Sequence, residues 1–255
     1  SYASSNSKEI GDGLLQSEIS RCFLKPEEIF KLTNYARQNS NLKIGISFFN
    51  NEDVNDFAEF IDIFDFFKVP SVEFSNKKLI NALSRFDKKI LFSLGCNQED
   101  NILKQIKSLN KTNSVLMHCV SNYPVEIFNS KLGYITHLRS IWNGEIGYSS
   151  HDSDWKICIA AMVLGIDWLE RHITFDKEDI GLDHSTSSTP SEFKEICFYA
   201  KELQFALSGN APRTLNSGEM INLQNLGRSP YAIRQINPGS LINENNIRWR
   251  SPQVG

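Results

Sequence analysis

The stretch EIGYSSHDSDWKICIAAMVLGIDWLERHIT, residues 145–174, contains one complete strand–helix–strand unit. Glu145–Ser150 and Asp167–Thr174 are short runs rich in apolar and β-branched residues, which predict strands. Between them, Asp154–Leu164 is mostly apolar and is followed by Gly165, which predicts a well-buried helix with a glycine C-cap. A strand, a helix and a second strand in this order indicate a parallel pair.

The same alternation extends outward over residues 25–207. Helices are predicted over Pro26–Arg37, where the proline suits a first turn, and over Glu52–Ile63, where apolar residues recur at helical spacing. Six βα units in all indicate an α/β fold with a parallel sheet, too few to close an eight-stranded barrel. The four further predicted strands are Leu42–Phe48, Phe64–Ser71, Lys89–Gly95 and Ser114–Ser121.

The character of the sequence changes after residue 207. Residues 208–225 form a predicted linker, because Ser208–Asn216 is rich in turn-forming residues. Residues 226–255 form a predicted small β module, in which a turn separates two β-like runs, Tyr231–Ile236 and Leu241–Ile242. We therefore predict a main domain over residues 1–207 and a partial second module.

Composition and charge exclude several classes of protein. The chain has 255 residues, 27 Lys and Arg against 30 Asp and Glu, and a net charge of −3, so nothing indicates a nucleic acid or an anionic membrane as partner. Its longest apolar stretch, Ile157–Leu164, is far short of the roughly 20 residues of a membrane span. The polar start, Ser1–Asp12, lacks a leader pattern, and five scattered cysteines indicate reduced thiols, so we expect a cytoplasmic protein.

Small polar or metal-binding residues stand at the end of each predicted strand. The carboxyl ends of parallel strands form the functional face of βα folds, because the βα loops converge there. A ring of hydroxyls with two imidazoles would suit an anionic substrate and a metal ion. Alternatively, the serines only cap the helices that follow them. In chain order the residues are Ser47, Ser71, Ser93, Ser121, His151 and His172.

His151 and His172 give the sharper signal. They lie twenty-one positions apart, which places them on neighbouring strand ends. Imidazole commonly binds divalent metals, and two histidines would leave positions open for water and substrate, although the spacing alone also fits histidines without a catalytic role. Glu170 faces the same side as His172 and is a candidate ligand or orienting group. Asp183 lies in a loop, where the alternative role is to cap the next helix.

Six motifs resemble those of the sialic acid synthase (N-acetylneuraminate synthase) family. The tail from Leu226 to Gly255 is similar to the start of the antifreeze-like SAF module of these enzymes, so the resemblance covers nearly the whole chain from about Ile19. The motifs are FKVPS at 67–71, FSLG at 92–95, HCVSNYP at 118–124, GYSSH at 147–151, LERHIT at 169–174 and GLDH at 181–184.

The resemblance implies a (β/α)8 TIM barrel followed by a SAF module that reaches over the partner's active site in a homodimer. It implies condensation of phosphoenolpyruvate with an aldose such as N-acetylmannosamine, giving a sialic-type nonulosonic acid and phosphate. It also implies a divalent metal, Mn²⁺ or Mg²⁺. The metal would polarise the sugar aldehyde, and hydroxyl and ammonium donors would hold the phosphate and carboxylate.

The resemblance also assigns residues to these tasks. His151 and His172 match the metal ligands, Glu170 and Asp183 match carboxylates near the sugar that we expect to be catalytic, and Arg250 is the candidate for the arginine that reaches the sugar pocket. The residues expected to bind phosphoenolpyruvate are Ser47, Lys68, Ser71, Ser93, Ser121 and Ser149.

The sequence departs from the family pattern at three places. Two barrel strands, with the glutamate that handles the proton and a lysine–glutamine pair, are expected ahead of this region, and the SAF module is short. Ser150 stands where an aspartate usually precedes the metal histidine. Arg250-Ser251-Pro252 stands where Lys-Arg-Pro is common, which displaces the arginine. A six-stranded remnant would expose two strand edges, so we expect a fragment of a longer chain in preference to a degenerate relative.

Three functional hypotheses follow. The leading one is a synthase that acts on phosphoenolpyruvate and an aldose. The second is a non-catalytic, sugar-binding or regulatory barrel that kept the fold without the glutamate. The third is an unrelated metal-dependent barrel hydrolase that uses His151, His172 and a carboxylate. Binding of phosphoenolpyruvate would count against the third hypothesis.

Overall fold

The computed structural model describes residues 20–209 and 212–253. The polar start, Ser1–Asp12, and the last two residues of the predicted β module lie outside these ranges. Between Leu207 and Ser208 the chain divides into two compact units. The first unit carries the alternating strands and helices together with all the predicted site residues except Arg250.

The first unit is built on a six-stranded parallel sheet whose strands follow one another in chain order. The six predicted strands are confirmed. Except for β5, each observed strand is a few residues shorter than its predicted run. Neighbouring strands pair in parallel, as successive βα units require. The strands are β1 Gly45–Ser47, β2 Phe66–Val69, β3 Lys89–Ser93, β4 Ser114–Cys119, β5 Glu145–Ser150 and β6 Trp168–Arg171.

Helices follow the strands and pack against one face of the sheet. Phe67, Phe92 and Leu116 on the strands share one buried apolar cluster with Leu79 and Leu138 on the helices. Burying this cluster supplies the main stabilising term, at about 25 cal/mol per Å² of apolar surface removed from water. The helices are α1 Pro26–Asn39, α2 Asn51–Asn55, α3 Lys77–Leu83, α4 Glu99–Ile106, α5 Gly133–Ile141, α6 Ile157–Val163 and α7 Pro190–Ala206.

The single helix predicted over Glu52–Ile63 is wrong. The helix α2 ends at Asn55, and the chain continues through tighter turns into a 3₁₀ segment at Ile61–Ile63. Backbone bonds there join residues three apart, such as Phe60 N–H to the Phe57 carbonyl at 2.9 Å. This tighter spacing brings the two phenylalanine rings into edge contact at 5.7 Å, so aromatic packing overrides the α-helical period.

The predicted C-cap of α6 is confirmed. The helix ends at Val163, and Gly165 follows with a φ of +79°, a conformation that a side chain would strain. Its N–H bonds to the Met162 carbonyl at 2.9 Å. This turn reverses the chain so that β6 can start beside β5.

The sheet curls, so its second and sixth strands face each other across the interior. Phe66 on β2 and Trp168 on β6 are in edge contact at 5.7 Å, although these strands are not neighbours in the sheet. Lys89 on β3 binds Glu145 on β5 at 2.5 Å in the same interior. The unit is therefore a curled half-barrel of six strands, which agrees with part of a TIM barrel.

The second unit contains helix α8, Ser217–Leu226, and an antiparallel pair, β7 Ser229–Ala232 and β8 Ile247–Arg250. The helix lies largely within residues 208–225, which we predicted as a linker; its start is stabilised because Asn216 accepts a bond from the Glu219 N–H and Glu219 accepts one from Asn216. The predicted strand at Leu241–Ile242 is wrong, and the chain pairs at β8 instead.

Within residues 20–209 and 212–253, no helix combines the length and apolar character needed to cross a membrane. No disulfide joins the cysteines of the described residues, and Cys119 and Cys158 are buried.

Candidate active site

The alternation of side chains along each strand turns several of the predicted site residues towards the interior, near the carboxyl ends of the strands. Ser47 lies beside Lys68, and Ser149 lies between Cys119 and Glu170. Side chains two positions apart on a strand share a face, so these residues point into the interior above the Phe66–Trp168 contact. Because side chains alternate between the two faces of each strand, one from each strand faces the interior at this end. We call these six residues the inner ring: Ser47, Lys68, Ser93, Cys119, Ser149 and Glu170.

Two hydroxyls of the inner ring are buried without a partner in the described part of the chain. Ser93 is 2% exposed and Ser149 is 1% exposed, and neither Oγ has a hydrogen-bond partner. Leaving a buried hydroxyl unsatisfied costs about 1–3 kcal/mol. Both serines were predicted to bind phosphoenolpyruvate, and both offer the unused donors that an anionic ligand would need.

Lys68 and Glu170 form an ion pair across the interior. The sequence places Lys68 near a phosphate and Glu170 near a sugar, but it does not show that the two groups touch. The other carboxylate oxygen of Glu170, Oε2, is buried and has no partner among the described residues. One side of this carboxylate therefore neutralises the lysine, and the other side can accept a bond from a ligand.

Two more of the predicted serines converge on a cysteine that the sequence analysis missed. The Oγ atoms of Ser71 and Ser121 lie 3.7 and 3.9 Å from Cys119 Sγ. Gly95 makes this approach feasible, because a Cβ there would lie 2.2 Å from Ser121 Oγ and 2.9 Å from Ser71 Oγ. Burial alone would raise the pKa of the Cys119 thiol, but bonds from His151 and the serines hold it below its usual range.

The two predicted metal-binding histidines lie side by side, with ring centroids 5.2 Å apart. His151 Nδ1 lies 3.0 Å from the Val120 carbonyl oxygen, and His172 Nδ1 lies 3.2 Å from Asp183 Oδ2. An acceptor beside Nδ1 keeps the ring proton on that nitrogen. The lone pair of each neutral ring is then on Nε2. The bond to His172 holds the pKa of Asp183 below its usual range.

This arrangement fits a divalent metal with two protein ligands. Both imidazoles have Nδ1 anchored, which is the usual arrangement for metal-bound histidine, although the Tyr123 hydroxyl lies 3.3 Å from Nε2 of His151 and a metal ion would take its place there. Within the described ranges, no group of three or more His, Cys, Asp or Glu side chains converges on a metal-sized space. Other coordination positions would therefore fall to water or substrate. Asp183 orients His172, and Thr189, rather than Asp183, caps the helix at Pro190.

Tyr123 also belongs to the site and was not singled out by the sequence analysis. Its ring lies 4.3 Å from that of His151, and its hydroxyl lies 3.3 Å from His151 Nε2. Burial raises the pKa of Tyr123, so the hydroxyl stays protonated at neutral pH and can donate a hydrogen bond. The HCVSNYP motif contains both Tyr123 and Cys119, so the motif itself was the available signal.

A cavity of about 470 Å³ opens beside the hydroxyls, between the loops that follow β3 and β4. Ser121, Asn122, Lys131 and Tyr134 contribute to its lining. This cavity is of the size that small-molecule ligands occupy. Of the inner ring, Cys119 alone lines this cavity, so the space lies at the loops and not over the buried serines.

His118 and Arg250 lie away from these contacts. His118 is buried, as expected for a core residue, with Nε2 2.8 Å from the Ser130 carbonyl oxygen and its ring stacked on Tyr148. Arg250 lies on β8 in the second unit, which is a separate compact body. Its predicted contact with the sugar stays a prediction.

Comparison with known proteins identifies the family to which this curled α/β half-barrel belongs. A solved N-acetylneuraminic acid (sialic acid) synthetase from Leptospira borgpetersenii superposes with a TM-score of 0.77 at 21% identity, over 85% of this chain and 76% of that one. The model of the NeuB family matches residues 2–211. The chain therefore belongs to the NeuB family, and the resemblance to sialic acid synthases is confirmed.

Two curated relatives illustrate the similarity in sequence. The N,N'-diacetyllegionaminic acid synthase of Campylobacter jejuni is 29% identical over 194 residues, which is 74% of this chain and 58% of that protein. The N-acetylneuraminate-9-phosphate synthase of Mus musculus is 31% identical over 219 residues, 83% of this chain and 59% of that protein. The chain thus spans less than two thirds of the length of these relatives.

Proposed function

We propose that this chain is part of a nonulosonic acid synthase that condenses phosphoenolpyruvate with an N-acetylmannosamine-like aldose. The observation that carries the proposal is the position of the histidine pair beside the inner ring. His151 and His172 each have Nδ1 anchored, and Ser93 and Ser149 offer unused buried donors near Lys68. A metal-binding pair next to anion-binding groups suits a reaction between an aldehyde and a phosphorylated acid.

His151 and His172 would hold Mn²⁺ or Mg²⁺. When bound, this ion supplies a Lewis acid for the aldehyde oxygen of the sugar. The Lys68 ammonium and the serine hydroxyls hold the phosphate and carboxylate of phosphoenolpyruvate. Because Lys68 is paired with Glu170, the incoming phosphate must compete with that carboxylate, which leaves Glu170 free to accept a bond from a sugar hydroxyl.

The reaction forms a bond between C3 of phosphoenolpyruvate and the aldehyde carbon. Water adds to C2, and the C2–O bond to phosphate breaks, releasing inorganic phosphate. Placing both substrates in one interior supplies much of the rate enhancement through proximity. We propose this activity for a barrel with all its strands, including the one expected to carry the proton-handling glutamate.

The assembly and location are also proposals. We propose a cytoplasmic homodimer in which Arg250 approaches the partner's sugar pocket. The relatives named above make legionaminic and sialic acid derivatives, so diacetamido sugars and N-acetylmannosamine are the first acceptors to test.

A phosphate-release assay tests the proposal. The protein is incubated with phosphoenolpyruvate and each aldose of the panel, with and without Mn²⁺, and the product is identified by mass spectrometry. We expect phosphate release that requires both the aldose and the metal. Absence of release from the full-length protein with every acceptor, despite phosphoenolpyruvate binding, would support the non-catalytic sugar-binding alternative instead.

The hydrolase alternative has less support from the geometry. It requires a carboxylate as a third metal ligand, whereas no third His, Cys, Asp or Glu side chain joins the histidine pair among the described residues. Metal-dependent hydrolysis without phosphoenolpyruvate would favour it over the synthase.

A further inference from the structure

A fully buried carboxylate follows the first metal histidine. Asp152 is 0% exposed and lies directly after His151. Its Oδ1 accepts a bond from the Ser130 hydroxyl, and its Oδ2 accepts bonds from the hydroxyls of Tyr148 and Ser150, the latter at 2.8 Å. A buried carboxylate is stable only when its oxygens are satisfied, so three hydroxyl donors hold this side chain in one position.

Asp152 also connects the two metal histidines. Arg171, the residue before His172, donates from Nη1 to the Asp152 backbone oxygen at 2.7 Å and to Ser150 Oγ at 3.1 Å. The Arg171 side chain is buried, and its Nε also donates to the Ser188 hydroxyl at 2.9 Å. The segment after β5 is therefore joined to the end of β6 by contacts that flank both imidazoles.

The same segment is fixed to the loop that follows β4. Asp152 forms a parallel bridge with Val125, whose N–H donates to the His151 carbonyl at 3.0 Å. Ser130, which donates to the Asp152 carboxylate, lies at the far end of that loop. These contacts fix the position of the loop after β4. The Val120 carbonyl at the start of that loop accepts the hydrogen bond from His151 Nδ1.

We propose that Asp152 is the positioning residue for the metal-binding pair and takes over the task of the aspartate expected at position 150. Ser150 stands at that position, and its hydroxyl reaches the Asp152 carboxylate. The carboxylate of this chain thus follows His151, and Ser150 links it to the position before that histidine. The proposal rests on the proposed metal-binding function of His151 and His172.

Moving the carboxylate tests this idea directly. Asp152→Ser removes it, and the double variant Ser150→Asp with Asp152→Ser returns it to the expected position. We expect Asp152→Ser to weaken Mn²⁺ binding by about 10- to 100-fold, the usual cost of losing a group that orients metal ligands. We expect the double variant to recover most of that loss. Mn²⁺ titration followed by electron paramagnetic resonance measures both affinities.

Two further variants separate positioning from general loss of structure. Asp152→Asn keeps the shape and one acceptor oxygen, so we expect it to fold and to lose less affinity than Asp152→Ser. Asp167→Ser is the matched control, because Asp167 binds Arg139 and the Ile146 N–H at the opposite end of the same strand pair. It should lower the unfolding midpoint without changing the Mn²⁺ affinity.

A readout without metal separates this inference from the proposed function. Long-range ¹⁵N NMR of the metal-free protein reports which nitrogen of His151 carries the proton. We expect the Nδ1–H form in the wild type, a mixture of forms in Asp152→Ser, and the Nδ1–H form again in the double variant. If wild-type protein fails to bind Mn²⁺ but shows this NMR pattern, the positioning role stands and the metal proposal fails. If a folded Asp152→Ser variant keeps both the wild-type tautomer and the wild-type Mn²⁺ affinity, the positioning role is excluded.

Discussion

The Lys68 ammonium and the Glu170 carboxylate meet across the interior of the curled sheet, joining its second and sixth strands. The contact occupies the one lysine of the inner ring before any ligand arrives. A phosphate that binds there must exchange one anionic partner for another. Losing the ion pair with Glu170 therefore reduces the net gain when a phosphate binds Lys68.

Glu170→Gln should increase the affinity for phosphoenolpyruvate while lowering turnover. The amide no longer neutralises Lys68, so we expect binding to tighten by a few fold, in keeping with the roughly 1 kcal/mol of a partly exposed ion pair. Turnover should fall because the glutamine cannot replace a carboxylate near the sugar. Isothermal titration calorimetry measures the binding and phosphate release measures the turnover.

Glu145→Gln provides the control for this experiment. Glu145 forms a similar cross-interior pair with Lys89, but at the amino ends of the strands. It should leave phosphoenolpyruvate affinity unchanged. Weaker binding in Glu170→Gln than in wild type would show that the carboxylate helps to bind the phosphate rather than competing with it.

His151→Ala and His172→Ala should each abolish measurable Mn²⁺ binding. Because the described residues offer two protein ligands, one remaining imidazole cannot hold the ion against water, and we expect a loss of more than about 100-fold. His137→Ala is the matched control, because His137 is exposed on α5 and binds Glu99. Retention of tight Mn²⁺ binding by either of the first two variants would place the metal elsewhere.

Gly95→Ala should damage the anion site with little effect on folding. Its methyl group would displace the hydroxyls of Ser71 and Ser121, so we expect phosphoenolpyruvate affinity to fall by about 10-fold or more, the equivalent of about 1.4 kcal/mol. Gly133→Ala serves as the control, because a Cβ at this position in α5 meets nothing within 4 Å. That variant should bind normally and gain about 0.5–1 kcal/mol of stability. Equal affinity for the two alanine variants would remove the two serines from the anion site.

Stability should fall as the pH decreases through the range where free histidine titrates. Burial lowers the pKa of His118. Below about pH 6.5 this side chain therefore binds a proton in the unfolded chain but stays neutral in the folded protein. The free energy of unfolding then falls by up to about 1.4 kcal/mol per pH unit. Stability from this group is complete above pH 6.5 and is lost on acidification towards the folded pKa.

Urea unfolding of wild type and His118→Gln between pH 7.5 and 5.5 measures this contribution. The glutamine amide can still donate to the Ser130 carbonyl but does not titrate, so the variant should show a smaller loss over this range. Identical pH dependence of the two proteins would mean that His118 is protonated equally in both states.

Local patterns in the sequence predicted much of the fold and of the site. Runs such as Glu145–Ser150 are short and bounded by turns, so their strand character does not depend on distant residues. The alternation of side chains within each strand assigns Ser149 and Glu170 to one face. Glu52–Ile63 was predicted as one helix because its apolar spacing is helical, yet packing of Phe57 against Phe60 decided the outcome.

Contacts between distant strands were beyond the sequence. Lys68 and Glu170 are 102 residues apart, and only the curl of the sheet brings them together. Cys119 looked like a core thiol because it ends an apolar run, whereas its register with Ser149 turns it inward. The task of Asp183 likewise depends on where the loop after β6 folds back, which places it on His172.

The shared face of the inner ring also restricts how this protein can change over evolutionary time. Consecutive strand residues point to opposite faces, so inserting or deleting one residue within β5 would turn Ser149 outward and bring Tyr148 or Ser150 inward. A single length change of this kind would therefore remove an anion-binding side chain from the interior. Length changes in the loops beyond the strand ends leave that alternation intact. We therefore expect insertions that alter specificity for the acceptor sugar to accumulate in these loops, while the strands change by substitution.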